Sequence, residues 1–263
     1  MSKKKLVVLF CVGVMVSVLA LVGCSSGPNE LGLRKSGTLT VGSDCDYPPF
    51  IELEGRKPVG FEMELMQAIA DDMGLKLKYL APQNFDTLIA SVAGGKKMDL
   101  AVSSITITDD RKESVDFCMY YFDSNQACVT KASASYKTAK DLEGKIVGAQ
   151  SGTTGEAWAR ERLQGITMKP FATTSEGLLA LQAGEIEALF FDAPIAEYHI
   201  ANNYPDFKIV EVIPTGEQYG FAVNKENTEL KEAVNASLQN LVDNGTYAQI
   251  FKKYFPNLEP SLR

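Results

Sequence analysis

Residues 101–111 read AVSSITITDDR and bring hydroxyls, backbone donors and a guanidinium into one short segment. An apolar strand over 98–102 opens into Ser103, Ser104 and Thr106. Thr108 is placed to cap a helix whose first turn holds Asp109, Asp110 and Arg111. A small carboxylate calls for this set: arginine offers a bidentate pair, and N–H groups beside a helix start add charge-assisted hydrogen bonds. The same residues also fit an ordinary strand, loop and capped helix, with Arg111 paired to Asp109 or Asp110.

Three more residues extend the chemistry. Asp192 can accept from an ammonium, and Tyr47 and Phe85 can enclose the aliphatic part of a ligand between rings. With the Arg111 segment they describe a site for a free α-amino acid. Each also has a plainer reading, since Asp192 could only cap the helix after it and the two rings could only be core. No catalytic set accompanies them. The one histidine, His199, falls on the helix expected after Asp192, where a surface or interlobe position is ordinary. Ser103 and Ser104 show no associated base, and no nucleotide or metal-ligand spacing occurs, so no catalytic residue, cofactor or metal is expected. Asp44 as a carboxylate base keeps an enzymatic reading open, and a ligand sensor working through a separate membrane partner is a third.

These residues need elements to position them, and the chain alternates strand and helix. Strands are expected at 38–41, 75–80, 98–102, 127–130, 145–149, 188–191 and 218–223. Helices are expected from Phe61 with Leu65, Ile69 and Met73 on one side, and at 85–92, through Trp158 and Leu163, at 173–183, after Asp192, at 228–242 and at 245–254. Such alternation argues for mainly parallel sheets covered on both faces, restarting near 145 as a second lobe on the same plan. Ligands of open α/β sheets sit at the carboxyl ends of strands. The loops at 44–50, 103–111 and 150–155, and Asp192, all fall there.

The N-terminus has another purpose. Lys3, Lys4 and Lys5 precede an apolar run over 6–19, and Leu21-Val22-Gly23-Cys24 resembles a bacterial lipobox, so 1–23 is expected to be an export signal cleaved before a lipid-bearing Cys24. Residues 24–36 then read as a tether. Loss of three lysines takes the net charge from −7 to −10, which disfavours nucleic acid and anionic membrane surfaces as partners. Cys45, Cys118 and Cys128 remain in the body. Their odd number leaves at least one free thiol in a monomer, with any pairing open.

The ordered set Asp44-x-x-Tyr47-x-Pro49-Phe50, Gly60-Phe61-Glu62-x-Glu64-Leu65, Ser104-Ile-Thr106-Ile-Thr108-x-x-Arg111, Asp116-Phe117, Ser151-Gly152-Thr153, Asp192, Asn244-Gly245-Thr246-Tyr247 and Lys253-Tyr254-Phe255 resembles the polar amino-acid branch of the family 3 solute-binding proteins. The resemblance runs from about residue 37 to 255. It implies a two-lobe α/β fold of the type II periplasmic-binding kind, with lobe 1 discontinuous over 37–120 and 220–263, lobe 2 over 126–214, and hinge strands at 121–125 and 215–219. Asn125 and Gly216 suit backbone rotation there. It further implies extracytoplasmic delivery of a free amino acid to an ABC permease by a monomer held at the membrane through Cys24. By position, Arg111, Ser103, Ser104 and Thr106 match the family's carboxylate segment, and Thr153 and Thr154 a second-lobe loop whose Thr154 donates to the same group. Asp192 matches the ammonium acceptor, Tyr47 and Phe85 the aromatic walls, and Asp44 a side-chain contact that favours cationic or amide-bearing ligands. Gln150 and Phe191 stand where glutamine-specific relatives have Lys and His, so the resemblance gives no ground for glutamine specificity, and arginine, lysine, glutamine or another polar ligand stays open. Asp46 and Cys45 have no role in this reading.

Overall fold

The computed structural model describes residues 31–263, so the expected signal at 1–23, Cys24 and the tether as far as residue 30 lie outside the described residues. The chain begins with β1 (Thr38–Gly42), then a three-stranded antiparallel meander of β2 (Asp46–Tyr47), β3 (Ile51–Glu54) and β4 (Lys57–Val59). Next come α1 (Phe61–Asp72), β5 (Lys76–Tyr79), α2 (Phe85–Ala93), β6 (Leu100–Ala101), α3 (Asp109–Ser114) and β7 (Asp116–Phe117). The long β8 (Phe122–Lys131) leads to β9 (Ile146–Gln150), α4 (Thr154–Arg162), β10 (Thr167–Phe171), α5 (Thr174–Ala183), β11 (Ala188–Asp192), α6 (Ala193–Asn202) and β12 (Phe207–Tyr219). Then β13 (Ala222–Val223), α7 (Thr228–Asp243) and α8 (Thr246–Tyr254) follow.

Helix α1 illustrates why these elements form. Phe61, Leu65 and Ile69 are fully buried along one stripe, and Gly74, at φ 67, turns the chain back into β5. Around such helices lie two five-stranded sheets, ordered β5-β1-β6-β13-β7 and β10-β9-β11-β8-β12. In each, three parallel strands are followed by one antiparallel strand and then a fifth that runs with the first three. The two sheets share one plan. The antiparallel member is the strand that has just crossed from the other lobe (β8 in one, β13 in the other), and the edge member is the last strand before the chain leaves.

Each sheet is thus mixed: four of its five strands run one way, as expected of a mainly parallel sheet, and one is reversed. Strand alternation carried no sign of this, because the reversed member in each sheet comes from the crossing and not from a β–α–β unit. The meander after β1 and strand β10 were also not foreseen. The expected strand at 218–223 is divided, with β12 ending at Tyr219 and β13 starting at Ala222.

The crossing is fastened at its first-lobe end by aromatic rings. Phe122 stacks on Tyr219 at 5.7 Å, Tyr121 on Phe221 at 4.4 Å, and Phe50, Phe61, Phe251 and Phe255 close around them. Beyond the rings, β8 and β12 stay paired into the second sheet with register shifts at 209/211 and 213/217. At the second shift Gly216 adopts φ 64, and its N–H donates to Asn125 Oδ1 at 3.1 Å. Only glycine takes that backbone without strain. Cys45, Cys118 and Cys128 are buried free thiols.

Candidate functional site

Between the two sheets lies a cavity lined by Asp44, Tyr47, Phe85, Ser103, Ser104, Thr106, Arg111, Gln150, Thr153, Thr154 and Asp192. Every residue singled out for the ligand faces this one space. They arrive from separate elements: the loop after β1, strand β2, the start of α2, the loop between β6 and α3, the first turn of α3, the end of β9 with the turn into α4, and the end of β11.

Arg111 is placed by its own helix start. Thr108 caps α3, its hydroxyl accepting from the Arg111 N–H at 3.2 Å. The guanidinium makes no pair with Asp109 or Asp110. It donates through Nη1 to the Thr106 carbonyl at 2.7 Å and through Nη2 to the Gly152 carbonyl of the second lobe at 3.0 Å, and it lies over the Phe85 ring at 5.6 Å. Burial pulls this guanidinium below its ordinary range, and the nearby Glu217 and Asp192 charges oppose the change.

Asp192 answers its alternative reading. It occupies the N-cap position of α6, yet its carboxylate makes no cap bond. Instead Tyr47 Oη donates to Oδ2 at 2.5 Å, the Asp192 N–H donates back to Tyr47 Oη at 3.2 Å, and Gln126 Nε2 donates to Oδ1. Burial pushes this carboxyl up to about 7, with the charge of Glu217 adding to the rise and the bond from Tyr47 opposing it. Tyr47 is thus more than a ring wall, because its hydroxyl joins the lobes.

Asp44 and Gln150 form a third polar group. Gln150 Nε2 donates to Asp44 Oδ2 at 2.9 Å, and Ser103 Oγ donates to Oδ1 at 2.5 Å, while Thr174 Oγ1 donates to Gln150 Oε1 at 3.2 Å. Burial raises the Asp44 carboxyl above its usual range, against these bonds. Thr153 caps α4, accepting from the Glu156 N–H, and its hydroxyl donates to the Gln150 carbonyl at 2.8 Å. Its neighbour Thr154 opens the helix, where the first N–H groups have no partner inside the helix.

Sequence reasoning missed three residues here. Glu62, wholly buried on α1, accepts from the Ser104 N–H at 2.6 Å, from Ser104 Oγ at 3.1 Å and from Tyr121 Oη. It holds Ser104 at φ 47, and burial pushes its own carboxyl up to about 7. Gln126 on β8 and Glu217 on β12 sit where the crossing strands pass the cavity. Glu62 stood in a recognised motif without a role, and Gln126 and Glu217 carried no signal, because which face of a crossing strand looks into a cleft depends on the other strand. Gly155 lets Gln126 approach: a Cβ there would lie 2.6 Å from Gln126 Oε1 and 3.1 Å from the Phe190 carbonyl.

Two other residues gain places. Asp46 bridges the lobes, accepting from the Ser175 N–H at 2.9 Å and from Ser175 Oγ at 2.6 Å at the start of α5. His199 is buried, with burial lowering its imidazole to about 4, and it lines a groove with Asp46 and Pro48 of the first lobe; of the surface and interlobe positions expected for it, the surface one is corrected. No cluster of His, Cys, Asp or Glu among the described residues could hold a metal ion.

Comparison with known proteins agrees with this architecture. The model of the bacterial extracellular solute-binding proteins, family 3, matches residues 39–257. The L-cystine-binding protein TcyJ of Escherichia coli K12 is 32% identical over 226 residues, covering 85% of this chain and 84% of the relative. The arginine-binding extracellular protein ArtP of Bacillus subtilis is 32% identical over 263 residues, covering 96% and 98%. Among solved structures, the arginine-, lysine-, histidine-binding protein ArtJ of Geobacillus stearothermophilus superposes with a TM-score of 0.79 at 33% identity, over 85% of this chain and 97% of that one. These relatives are binding proteins, and the fold they share is the two-lobe, type II periplasmic-binding one. The chain belongs to family 3 of the bacterial extracellular solute-binding proteins.

Proposed function

We propose that the protein binds a free polar L-amino acid, basic or amide-bearing, outside the cytoplasm and delivers it to an ABC importer. One observation carries the reading: Arg111 from the first lobe and Asp192 from the second line the same cavity with opposite charge. In this reading a zwitterion's carboxylate goes to Arg111 and the N-terminus of α4, its ammonium to Asp192, and its side chain to Asp44 and Gln150. With two carboxylates and one guanidinium in the lining, the cavity favours a cationic or neutral side chain over an acidic one. That relatives bind cystine, arginine, lysine and histidine supports this class.

Residues 121–125 and 215–219 act as the hinge in this proposal. A ligand held by both lobes lowers the free energy of the closed form only. One copy carries a complete set of contacts, so the protein works as a monomer. It binds without transforming its ligand: the relatives it resembles are binding proteins, and the Asp44 carboxylate that accepts from the Ser103 hydroxyl serves in this reading as a contact for the ligand side chain.

A thermal-shift screen of the chain against the twenty amino acids tests the function. A ligand that binds only the folded state at about 100 times its Kd adds about 2.7 kcal/mol. A shift with basic or amide-bearing amino acids and none with Asp or Glu is expected; no shift with any amino acid overturns the reading. Attachment is tested separately. Cys24→Ser should release the protein from the membrane fraction, since that thiol is the lipid acceptor of the lipobox. Retention of the variant, with the signal uncleaved in wild type too, would make residues 1–23 a plain anchor.

A further inference from the structure

Glu217 stands on β12 where the two lobes meet, and hydroxyls from both converge on it. Thr106 Oγ1 of the first lobe donates to Glu217 Oε2 at 2.8 Å, and Thr154 Oγ1 of the second donates to the same oxygen at 3.0 Å. Gln126 Nε2 reaches Oε1 at 3.3 Å and Oε2 at 3.1 Å while also meeting Asp192 and Thr154. A threonine hydroxyl has one proton to donate. The hydroxyls of Thr106 and Thr154 therefore serve either Glu217 or the carboxylate of a ligand, and the third hydroxyl of that group, on Ser104, is within bonding distance of Glu62.

Arg111 differs. Its guanidinium bonds go to the Thr106 and Gly152 carbonyls, and it forms no ion pair with Glu217. The Glu217 charge is nevertheless close enough to oppose the fall in the Arg111 pKa and to add to the rise in that of Asp192. A protein carboxylate thus already occupies the hydroxyl donors, in an environment where it offsets the guanidinium charge.

We propose that Glu217 is an internal stand-in for the ligand's α-carboxylate: it yields the Thr106 and Thr154 hydroxyls to an α-amino acid, and keeps them when the ligand is an amine lacking that group. The inference rests on the amino-acid reading of the cavity. It extends the ligand class to the decarboxylated amine corresponding to the preferred amino acid. For that amine, Asp192 holds the ammonium and Glu217 balances Arg111, so no buried guanidinium is left without a counter-charge. An α-amino acid must instead displace Glu217 from two charge-assisted hydrogen bonds, which weakens its binding.

The test titrates wild type, Glu217→Ala and Glu217→Gln calorimetrically with two probes. One is the L-amino acid that gives the largest thermal shift, and the other is the amine obtained by removing its α-carboxyl. Wild type should bind both. Glu217→Ala should bind the amino acid at least about threefold more tightly and the amine at least about threefold more weakly, a change in their ratio of about tenfold, each step being the size of a single net hydrogen bond. Glu217→Gln keeps an acceptor for the hydroxyls but loses the charge, and should move the ratio in the same direction by less. It carries the test alone if the alanine variant does not fold. Parallel weakening of both probes would reduce Glu217 to a support for the hinge and overturn the proposal, as would failure of wild type to bind the amine. A wild type that binds no amino acid at all would instead defeat the functional reading on which the proposal rests, and the proposal with it.

Discussion

The two lobes are built on one strand plan but contribute to the cavity in different ways. In the first sheet the crossing-derived strands, β7 and β13, have two residues each, and the first lobe meets the cavity mainly with loops and helix starts, through Asp44, Phe85, Ser103, Ser104, Thr106 and Arg111, with Tyr47 added from β2. In the second sheet the equivalent strands, β12 and β8, run for 13 and 10 residues and continue through the crossing itself. Gln126 and Glu217 ride on that extension and reach the cleft from its back wall. The lesson is that the second lobe and the crossing form one continuous sheet, whereas the first lobe is joined to it by a plug of aromatic rings and a short backbone bridge between Thr106 and Tyr219. Opposite charges follow the same division, with the Arg111 guanidinium on the first lobe and the Asp192 carboxyl on the second.

The strongest way to break that division is to remove its two charges singly. Arg111→Ala and Asp192→Ala should each weaken amino-acid binding by about 3 to 5 kcal/mol while the fold persists, because each leaves a ligand charge desolvated without its partner. Calorimetric titration checks this, and a variant within about threefold of wild type would show that its lobe does not supply the charge assigned to it.

A second comparison sets one buried carboxyl of each lobe against pH. Asp192 rises from 3.8 to about 7 and Glu62 from 4.5 to about 7. Between about pH 4 and 7 the folded protein then holds protons that the unfolded chain has lost. Ligand-free stability should therefore fall as pH rises through that window, by on the order of 5 kcal/mol between pH 5 and pH 8 for the two groups together. Urea unfolding at the two pH values measures the fall; Asp192→Asn should remove one part and Glu62→Gln the other. Affinity should move oppositely, rising toward pH 7 because an ammonium favours ionised Asp192. A stability that climbs from pH 5 to 8 would contradict both assignments.

Asp44→Asn sharpens the picture at the contact between Asp44 and Gln150. Loss of the carboxylate charge should cost a cationic ligand about 1.5 to 3 kcal/mol and an amide-bearing one much less, since only the former loses an ion pair. Equal losses, measured with a basic and an amide-bearing amino acid, would take Asp44 out of the side-chain pocket. The smallest effect is expected from Phe85→Leu, which keeps an apolar wall but removes the ring beneath Arg111. A weakening of about 0.5 to 1 kcal/mol fits a partly exposed cation–π contact, and no change would mean that Arg111 is held by its carbonyl partners alone.

Much of this molecule can be read from local pattern. The spacing of Phe61, Leu65 and Ile69 marks α1, Thr108 followed by two acids marks the start of α3, and loops at the carboxyl ends of strands locate the cavity, because each depends on residues a few positions apart. The amino acids alone also determined that Arg111 and Asp192 carry opposite charge and that hydroxyls surround the former. Only the tertiary structure decided what those groups touch. Asp192 could have capped α6, and it is Tyr47, 145 residues away, whose hydroxyl engages it. Thr106 and Thr154 looked like free donors until β12 brought Glu217 between them from 111 and 63 positions away. Sheet direction was hidden for the same reason: β8 and β13 become antiparallel through the path of the crossing, and a strand's own residues do not encode which neighbours it will meet.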